Sequence, residues 1–331
     1  MGGNPTVRDV AKSAGVSVAT VSRSLNNQAG ISVQTRQRVI DAATQLGYDL
    51  GKLRQNRLRR IMFLYRRQAL SLGGNPFYSP VLHGVEEACR SENLGLSFST
   101  IAANDQLPEL ISRQEPDGLV CVGYFPPEQL RAVRSLGLPT VLIDHWAPGF
   151  STVNSDNFGG SYLVTEYLLS QGYRRVAFIS GPQQHYSIAQ RLQGYRHALL
   201  AHGLTPDSSL EVSRTPLDDE EGTVGAVHRL LALPEVPDAI VAYNDATALQ
   251  AMRTCQVLGV SVPRDLAVVG FDDLETASSA LPGLTTVRVD KEGLGRRGVE
   301  ALMNRSSEGA QVILPVTLVV RESAVRPKIP N

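Results

Sequence analysis

The sequence predicts an α/β protein in two unequal parts: a small all-α head, then a larger body of doubly wound parallel sheets in two lobes. Three observations predict it. The first 48 residues carry three short apolar periodicities of helical spacing, with capping residues at their ends. From Ile61 short apolar runs alternate with helical stretches, and the alternation restarts at Arg175. Charge divides the chain in the same way. Residues 1–60 hold ten Lys and Arg against Asp9, Asp41 and Asp49, a net +7, so the remainder, with 22 basic and 29 acidic residues, carries −7. A basic head on an acidic body points to a polyanion-binding module joined to something else.

The head is read residue by residue. Thr6 is an N-cap with Asp9 three positions on, and Val7, Val10, Ala11 and Ala14 follow at helical spacing until Gly15. Val16 plugs the turn, Ser17 caps a second helix through Leu25, and Asn26 and Asn27 end it. A third helix runs from about Val33 to Leu46 and closes at Gly47. Two short helices around a tight glycine turn, backed by a third, make a helix-turn-helix. On the second helix Val21 and Leu25 face inward, which leaves Val18, Ala19, Ser22 and Arg23 pointing out from its N-terminal half. That half meets base edges in the major groove, where an arginine pairs with guanine and small apolar side chains meet thymine methyls. The Ser17 and Thr20 hydroxyls suit phosphate oxygens. The bland alternative is a three-helix interaction module.

In the body, Ile61–Tyr65, Leu96–Phe98, Gly118–Val122 and Thr140–Asp144 read as buried strands, with helices near 80–93, 105–115 and 127–136. The second series is Arg175–Ile179, Ala239–Tyr243 and Leu266–Phe271, with helices near 157–171, 188–202, 220–232 and 244–258. Such sheets bind ligands at the carboxyl ends of their strands. Asp144, Asn244-Asp245 and Asp272-Asp273 follow strands directly, and Gly181-Pro182 leads through His185 and Ser187 to Arg191. Carboxylates, an amide and a guanidinium converging on a cleft suit the vicinal hydroxyls of a sugar. Each has a plainer reading: Asn244 as a helix cap, Asp272 as a turn former, Arg191 as an ion-pair partner. Trp146, the single tryptophan, is a stacking face, a lid or packing.

Other classes are excluded. No apolar run approaches the ~20 residues of a membrane span, and the first residues lack the charged and apolar regions of a secretory signal. Cys89, Cys121 and Cys255 sit in apolar patterns and read as buried thiols of a cytoplasmic protein. There is no dinucleotide fingerprint, P-loop, H-E-x-x-H or C-x-x-C, and the six histidines have no metal-ligand spacing, so neither enzyme nor cofactor is expected. A solute-binding transport protein is the rival for the body, against which the head argues.

The stretch Thr6-Val-Arg-Asp-Val-Ala-Lys-Ser-Ala-Gly-Val-Ser-Val-Ala-Thr-Val-Ser-Arg-Ser-Leu-Asn26, with Val33-Gln-Thr-Arg-Gln-Arg-Val-Ile40 and Leu46-Gly-Tyr48, resembles the head of the LacI/GalR family of bacterial repressors. The resemblance implies a homodimer on double-stranded, pseudo-palindromic operator DNA, with Val18, Ala19 and Arg23 in the positions that read bases. With Thr6, Ser17, Thr20, Ser22 and Asn26 these form the expected DNA-facing set. The body resembles the same family, whose core is like a periplasmic sugar-binding protein. It implies three crossovers between lobes, near Ser155, Arg288 and Pro315. The domains expected are a head at 1–48, a linker at 49–60 and an effector-binding core at 61–331. Lobe 1 takes about 61–155 and 288–315, and lobe 2 about 156–287 and 316–331.

The resemblance places Asp144, Arg191, Asn244 and Asp272 where sugar-responsive members hold hydroxyl-binding groups, and Phe77 of Asn75-Pro-Phe-Tyr78 where an aromatic lines the pocket. His185 and Leu217 stand where purine-responsive members carry an arginine and an aromatic, which favours a sugar over a nucleobase or nucleoside. The linker departs from the family. Members follow the Gly-Tyr with a proline, an asparagine and an Ala-Arg-x-Leu hinge helix whose leucine opens the minor groove. Tyr48–Ile61 is several residues shorter and lacks them, leaving Leu53 or Leu58 as the wedge, Leu53 preferred, with Arg54, Arg57, Arg59 and Arg60 as phosphate contacts. A flexible basic tether is the alternative.

Overall fold

A computed structural model describes residues 5–25, 31–48, 58–66, 75–102, 105–214, 220–304 and 309–326. The head is three helices, α1 (Val7–Ala14), α2 (Val18–Leu25) and α3 (Val33–Gln45), around a core of Val10, Ala14, Val21, Val39 and Ala43. Each starts where a hydroxyl satisfies an orphan N–H. Thr6 and Asp9 close the reciprocal box, with the Thr6 N–H donating to Asp9 Oδ2 at 2.8 Å. Ser17 Oγ accepts the Thr20 N–H at 3.0 Å, and Ser32 Oγ accepts the Thr35 N–H at 3.1 Å. Gly15 ends α1 at φ 64°, a left-handed turn that a side chain would strain.

The body holds two parallel sheets. The first has six strands in the order β11-β5-β4-β3-β1-β2, where β1 is Arg60–Arg66, β2 Gly95–Ile101, β3 Gly118–Val122, β4 Thr140–Ile143, β5 Ser151–Ser155 and β11 Gln311–Leu314. The second has the order β7-β6-β8-β9, where β6 is Val176–Ser180, β7 Glu211–Ser213, β8 Ala239–Ala242 and β9 Ala267–Val269. A short antiparallel pair, β10 (Thr286–Arg288) with β12 (Thr317–Val319), lies beside β9, to which Val269 and Thr285 form a bridge. The chain therefore passes between sheets after β5, after β10 and after β11. Every residue of β3, β6, β8 and β9 is buried, as helices on both faces of a parallel sheet require.

The helices of the body are α4 (Tyr78–Ser91), α5 (Leu107–Ser112), α6 (Pro127–Ser135), α7 (Asn157–Ser170), α8 (Tyr186–Ala201), α9 (Glu220–Leu231), α10 (Asp245–Val257), α11 (Glu275–Ser279) and α12 (Lys291–Met303). Two close pairs brace the lobes: α4 against α12 and α7 against α8. The first depends on glycine. A methyl on Gly84 would meet the Glu292 carbonyl, and one on Gly295 would meet Val81. The strands β5, β7, β10, β11 and β12 and the helices α11 and α12 lie outside the strand and helix runs read from sequence. All three cysteines are buried and free.

At the junction, the Leu58 side chain packs on the body against the Gly118 backbone, while the Arg59 and Arg60 N–H groups both donate to Asp117 Oδ2 at 2.8 and 2.9 Å. Leu58 is partly buried against the body in this structure, and Leu53 and Arg54 lie outside the described residues. Arg60 faces Glu115 at 3.4 Å across an exposed pair worth under about 1 kcal/mol. Gly84→Ala should destabilise the fold by about 1–3 kcal/mol, because the helices must part to admit one methyl. Equilibrium denaturation measures this, and an unchanged midpoint would show that α4 and α12 are free to separate.

Candidate functional site

Two surfaces gather the residues singled out by the sequence. On the head, α2 buries Val21 and presents Val18, Ala19 and Arg23 to solvent on its other side. The Ser17 and Thr20 hydroxyls lie 2.8 Å apart and bond to each other. The Thr6 side chain is engaged in its capping box. Ser22 lies on the same helix; Asn26 falls outside the described residues.

The second surface is a cavity of about 500 Å³ between the two sheets, at the carboxyl ends of their strands. Phe77, Asp144, His185, Arg191, Asn244 and Asp272 all line it, and Leu217 lies outside the described residues. The first sheet contributes Asp144, just past β4, with its backbone turned left-handed at φ 57°. Its Oδ2 accepts the Tyr78 hydroxyl at 2.6 Å, and His185 Nε2 from the other side of the cleft stands 3.7 Å from the same oxygen. Burial, and then the Asp144 charge, pushes the Tyr78 hydroxyl well above the ordinary phenol value, so it stays a donor. Burial holds the His185 imidazole below its ordinary value against the pull of Asp144, and its Nδ1 is 2.8 Å from Ser187 Oγ. Next to Asp144, burial and then His185 push His145 down to about 4. Both imidazoles are neutral at physiological pH.

The second sheet contributes a buried cation. Arg191 on α8 donates from Nε to Asn157 Oδ1 at 2.8 Å and from Nη1 to the Tyr243 carbonyl at 2.7 Å. Its Nη2 lies 3.2 Å from Asp272 Oδ1, and its guanidinium stacks 3.8 Å from the Phe271 ring centroid. Asp272 Oδ1 is itself buried and, among the described residues, makes a charge contact with Arg191 rather than an aligned hydrogen bond. Burial pushes the Asp272 carboxyl up, while Arg191 and Lys291 hold it down. Asn244 caps α10 by accepting the Thr247 N–H at 2.9 Å, so it fills its plainer role and still lines the cavity. Trp146 is not among the described residues that line it; its ring stacks on Tyr186 at 6.4 Å.

Residues 6–49 match the family described as "Bacterial regulatory proteins, lacI family", and residues 165–324 match "Periplasmic binding protein-like domain". The chain is 33% identical over 317 residues to the ribose operon repressor of Escherichia coli (strain K12), covering 92% of this chain and 93% of that one. The chain belongs to the LacI family. A solved complex of the regulator CelR with cellobiose superposes with a TM-score of 0.74 at 31% identity, over 97% of this chain and all of that one. The Lac repressor dimer bound to operator and the anti-inducer ONPF superposes at 0.71 with 25% identity, over 98% of this chain. This LacI-family protein is a DNA-binding transcriptional regulator with a periplasmic-binding-protein-like core, and its relatives are regulators of operons.

Sequence reasoning did not single out Tyr78, Asn157 or Tyr243. Asn157 follows Asp156, and two side chains of that type at a helix start read as caps, a role only Asp156 fills. Tyr78 sat beside Phe77 in a quoted motif, but nothing local says that its hydroxyl reaches Asp144. Tyr78→Phe should cost about 1–3 kcal/mol, since it strips a donor from a buried carboxylate; thermal unfolding measures it.

Asp245, beneath the cavity, supplies a pH test. Its Oδ1 accepts the Thr286 hydroxyl at 2.5 Å and its Oδ2 the Leu274 N–H at 2.8 Å. Burial, and then the charge of Asp272, raises its carboxyl above the ordinary 3.8. With the folded value above the unfolded one, its contribution to stability is full below 3.8 and is lost as pH rises through the raised value. Asp245→Asn, whose amide can donate to Thr286 and accept from Leu274, should flatten the fall in unfolding midpoint between acid and mildly alkaline pH. A parent and variant with parallel profiles would mean that Asp245 does not titrate there.

Proposed function

We propose that this regulator is a repressor that binds a pseudo-palindromic operator as a homodimer in the cytoplasm, and that a sugar in the cleft sets its grip on DNA. Its parts are a head at 1–48, a linker at 49–60 and a core at 61–331, with lobes at about 61–155 plus 288–315 and 156–287 plus 316–331. The observation that carries the effector reading is the set Asp144, Arg191 and Asp272 on one cavity, with a carboxylate from each sheet and a guanidinium beside Asp272. Vicinal hydroxyls donate to the carboxylates and accept from a guanidinium, and the Phe77 ring offers an apolar face to sugar C–H groups. A polyol that satisfies both sheets at once draws them together, and the linker follows from the first of them. The ribose and cellobiose relatives support a sugar.

A thermal-shift panel of ribose, cellobiose, other sugars and nucleobases tests this. A ligand at 100 times its dissociation constant stabilises by about 2.7 kcal/mol. Stabilisation by a nucleobase and by no sugar would overturn the effector assignment. Asp272→Asn should remove the response to sugar while apo operator affinity stays unchanged.

On the head, Arg23→Ala should cost about 1–3 kcal/mol on operator and much less on random DNA. Affinity of the parent should fall with log salt at about 0.9 per phosphate neutralised. Equal losses on both DNAs would assign Arg23 to the backbone alone.

A further inference from the structure

Asp273 is not among the described residues that line the cavity, yet its carboxylate is held by two arginines. The turn after β9 is left-handed at two successive residues, Asp272 at φ 117° and Asp273 at φ 50°, a conformation that non-glycine residues hold only when their surroundings impose it. The surroundings are explicit. Asp273 Oδ2 accepts from Arg288 Nε at 2.7 Å, and Oδ1 accepts from Arg321 Nη2 at 2.7 Å. Lys291 Nζ donates to the Asp272 carbonyl at 2.5 Å and reaches the Asp273 carbonyl at 3.3 Å. The Asp272 N–H donates to the Val287 carbonyl at 2.8 Å.

Arg288 ends β10, where the chain leaves for the first sheet, and Arg321 follows β12, the strand antiparallel to β10, so one carboxylate joins the two strands of that pair. Arg321 is held in turn by Thr285, whose Oγ1 accepts its N–H at 2.9 Å, and by the Leu284 carbonyl at 2.8 Å. Lys291 begins α12, which runs back to the first lobe and packs on α4, the helix that starts with Tyr78.

We propose that Asp273 is a positioning residue: by bridging Arg288 and Arg321 it fixes the left-handed turn that aims Asp272 into the cavity, and it ties that turn to the β10–β12 pair, from whose Arg288 end the chain crosses to the first sheet. The part concerning Asp272 rests on the effector reading above; the bridge does not. An effector that pulls on Asp272 then shifts the β10–β12 pair with it, because the carboxylate shared by the two arginines moves with the turn.

Amide hydrogen exchange on the full-length protein, without ligand, tests the bridge. In Asp273→Asn the segments 269–274, 285–289 and 318–322 should exchange about tenfold faster together, while β3, β6 and β8 keep their protection. Arg288→Gln should loosen 318–322, and Arg321→Gln should loosen 285–289, although neither substitution lies in the segment it affects. Asp273→Glu, which keeps the charge, should recover part of the protection. Loosening confined to the substituted segment would overturn the bridge, as would a uniform loss through β6 and β8, which would make Asp273 an ordinary structural residue. Calorimetry with D-ribose and cellobiose then separates the two readings. If either binds the parent, Asp273→Asn should weaken it about tenfold at a similar unfolding midpoint, and unchanged affinity overturns the positioning role. If neither binds, the sugar reading loses its support and the exchange result decides the bridge alone.

Discussion

The cleft is organised around one buried cation. Arg191 is only 5% exposed, and a guanidinium taken out of water costs several kcal/mol unless its donors are met. Its partners come from three places: Asn157 at the start of α7, the Tyr243 carbonyl after β8 and Asp272 after β9. Each must stand where the fork-shaped guanidinium can reach it, and Phe271 must lie flat beneath. The carboxyl end of the second sheet is thereby fixed as a single polar cluster. The loss of any one partner would leave charge unmatched in a low-dielectric interior, so the constraint is strict.

The first lobe faces this cluster with the opposite arrangement. Among the described residues Asp144 has no cation of its own within the first sheet; it is satisfied by the Tyr78 hydroxyl and approached by a neutral histidine from across the cleft. Such a carboxylate retains acceptor capacity, and the cleft therefore presents anionic acceptors on both walls and a cation on one. The chain passes three times between the sheets, while glycines let α4 approach α12 and α7 approach α8 closely within each wall. A ligand-responsive regulator needs this division between packed lobes and the passages that connect them. The head differs in kind. The exposed face of α2 is built from residues within one helix, so its composition needs no long-range contact.

What was legible follows from how each element is stabilised. β1, β3, β4, β6 and β8 are continuous apolar runs because both faces of a parallel sheet are covered. β5, Ser151-Thr-Val-Asn-Ser155, and β7, Glu211-Val-Ser213, lack such runs and are held by pairing with neighbours, which no local pattern reports. α12 was missed because Gly293, Gly295 and Gly298 depress its helical propensity. The same glycines that hide it let it approach α4. Among the cavity-lining residues, Asp144, Arg191 and Asp272 were legible from their places at or after strand ends, whereas nothing local marked Tyr78 as the partner of Asp144, and Trp146, read as a stacking face, a lid or packing, stacks on Tyr186.

The sequence by itself determined the head, the strand and helix order of most of the body, and the polar residues at the strand ends. All of these depend on interactions within a few residues, such as caps, turns and periodic burial. Only the tertiary structure decided that Tyr78 meets Asp144, that Asp144 faces His185, and that Asp273 joins Arg288 to Arg321. Those pairs lie between 15 and 66 residues apart in the chain. A hydrogen bond discriminates over a few tenths of an ångström, and that precision is set by how the sheets and their crossovers pack, not by spacing along the sequence.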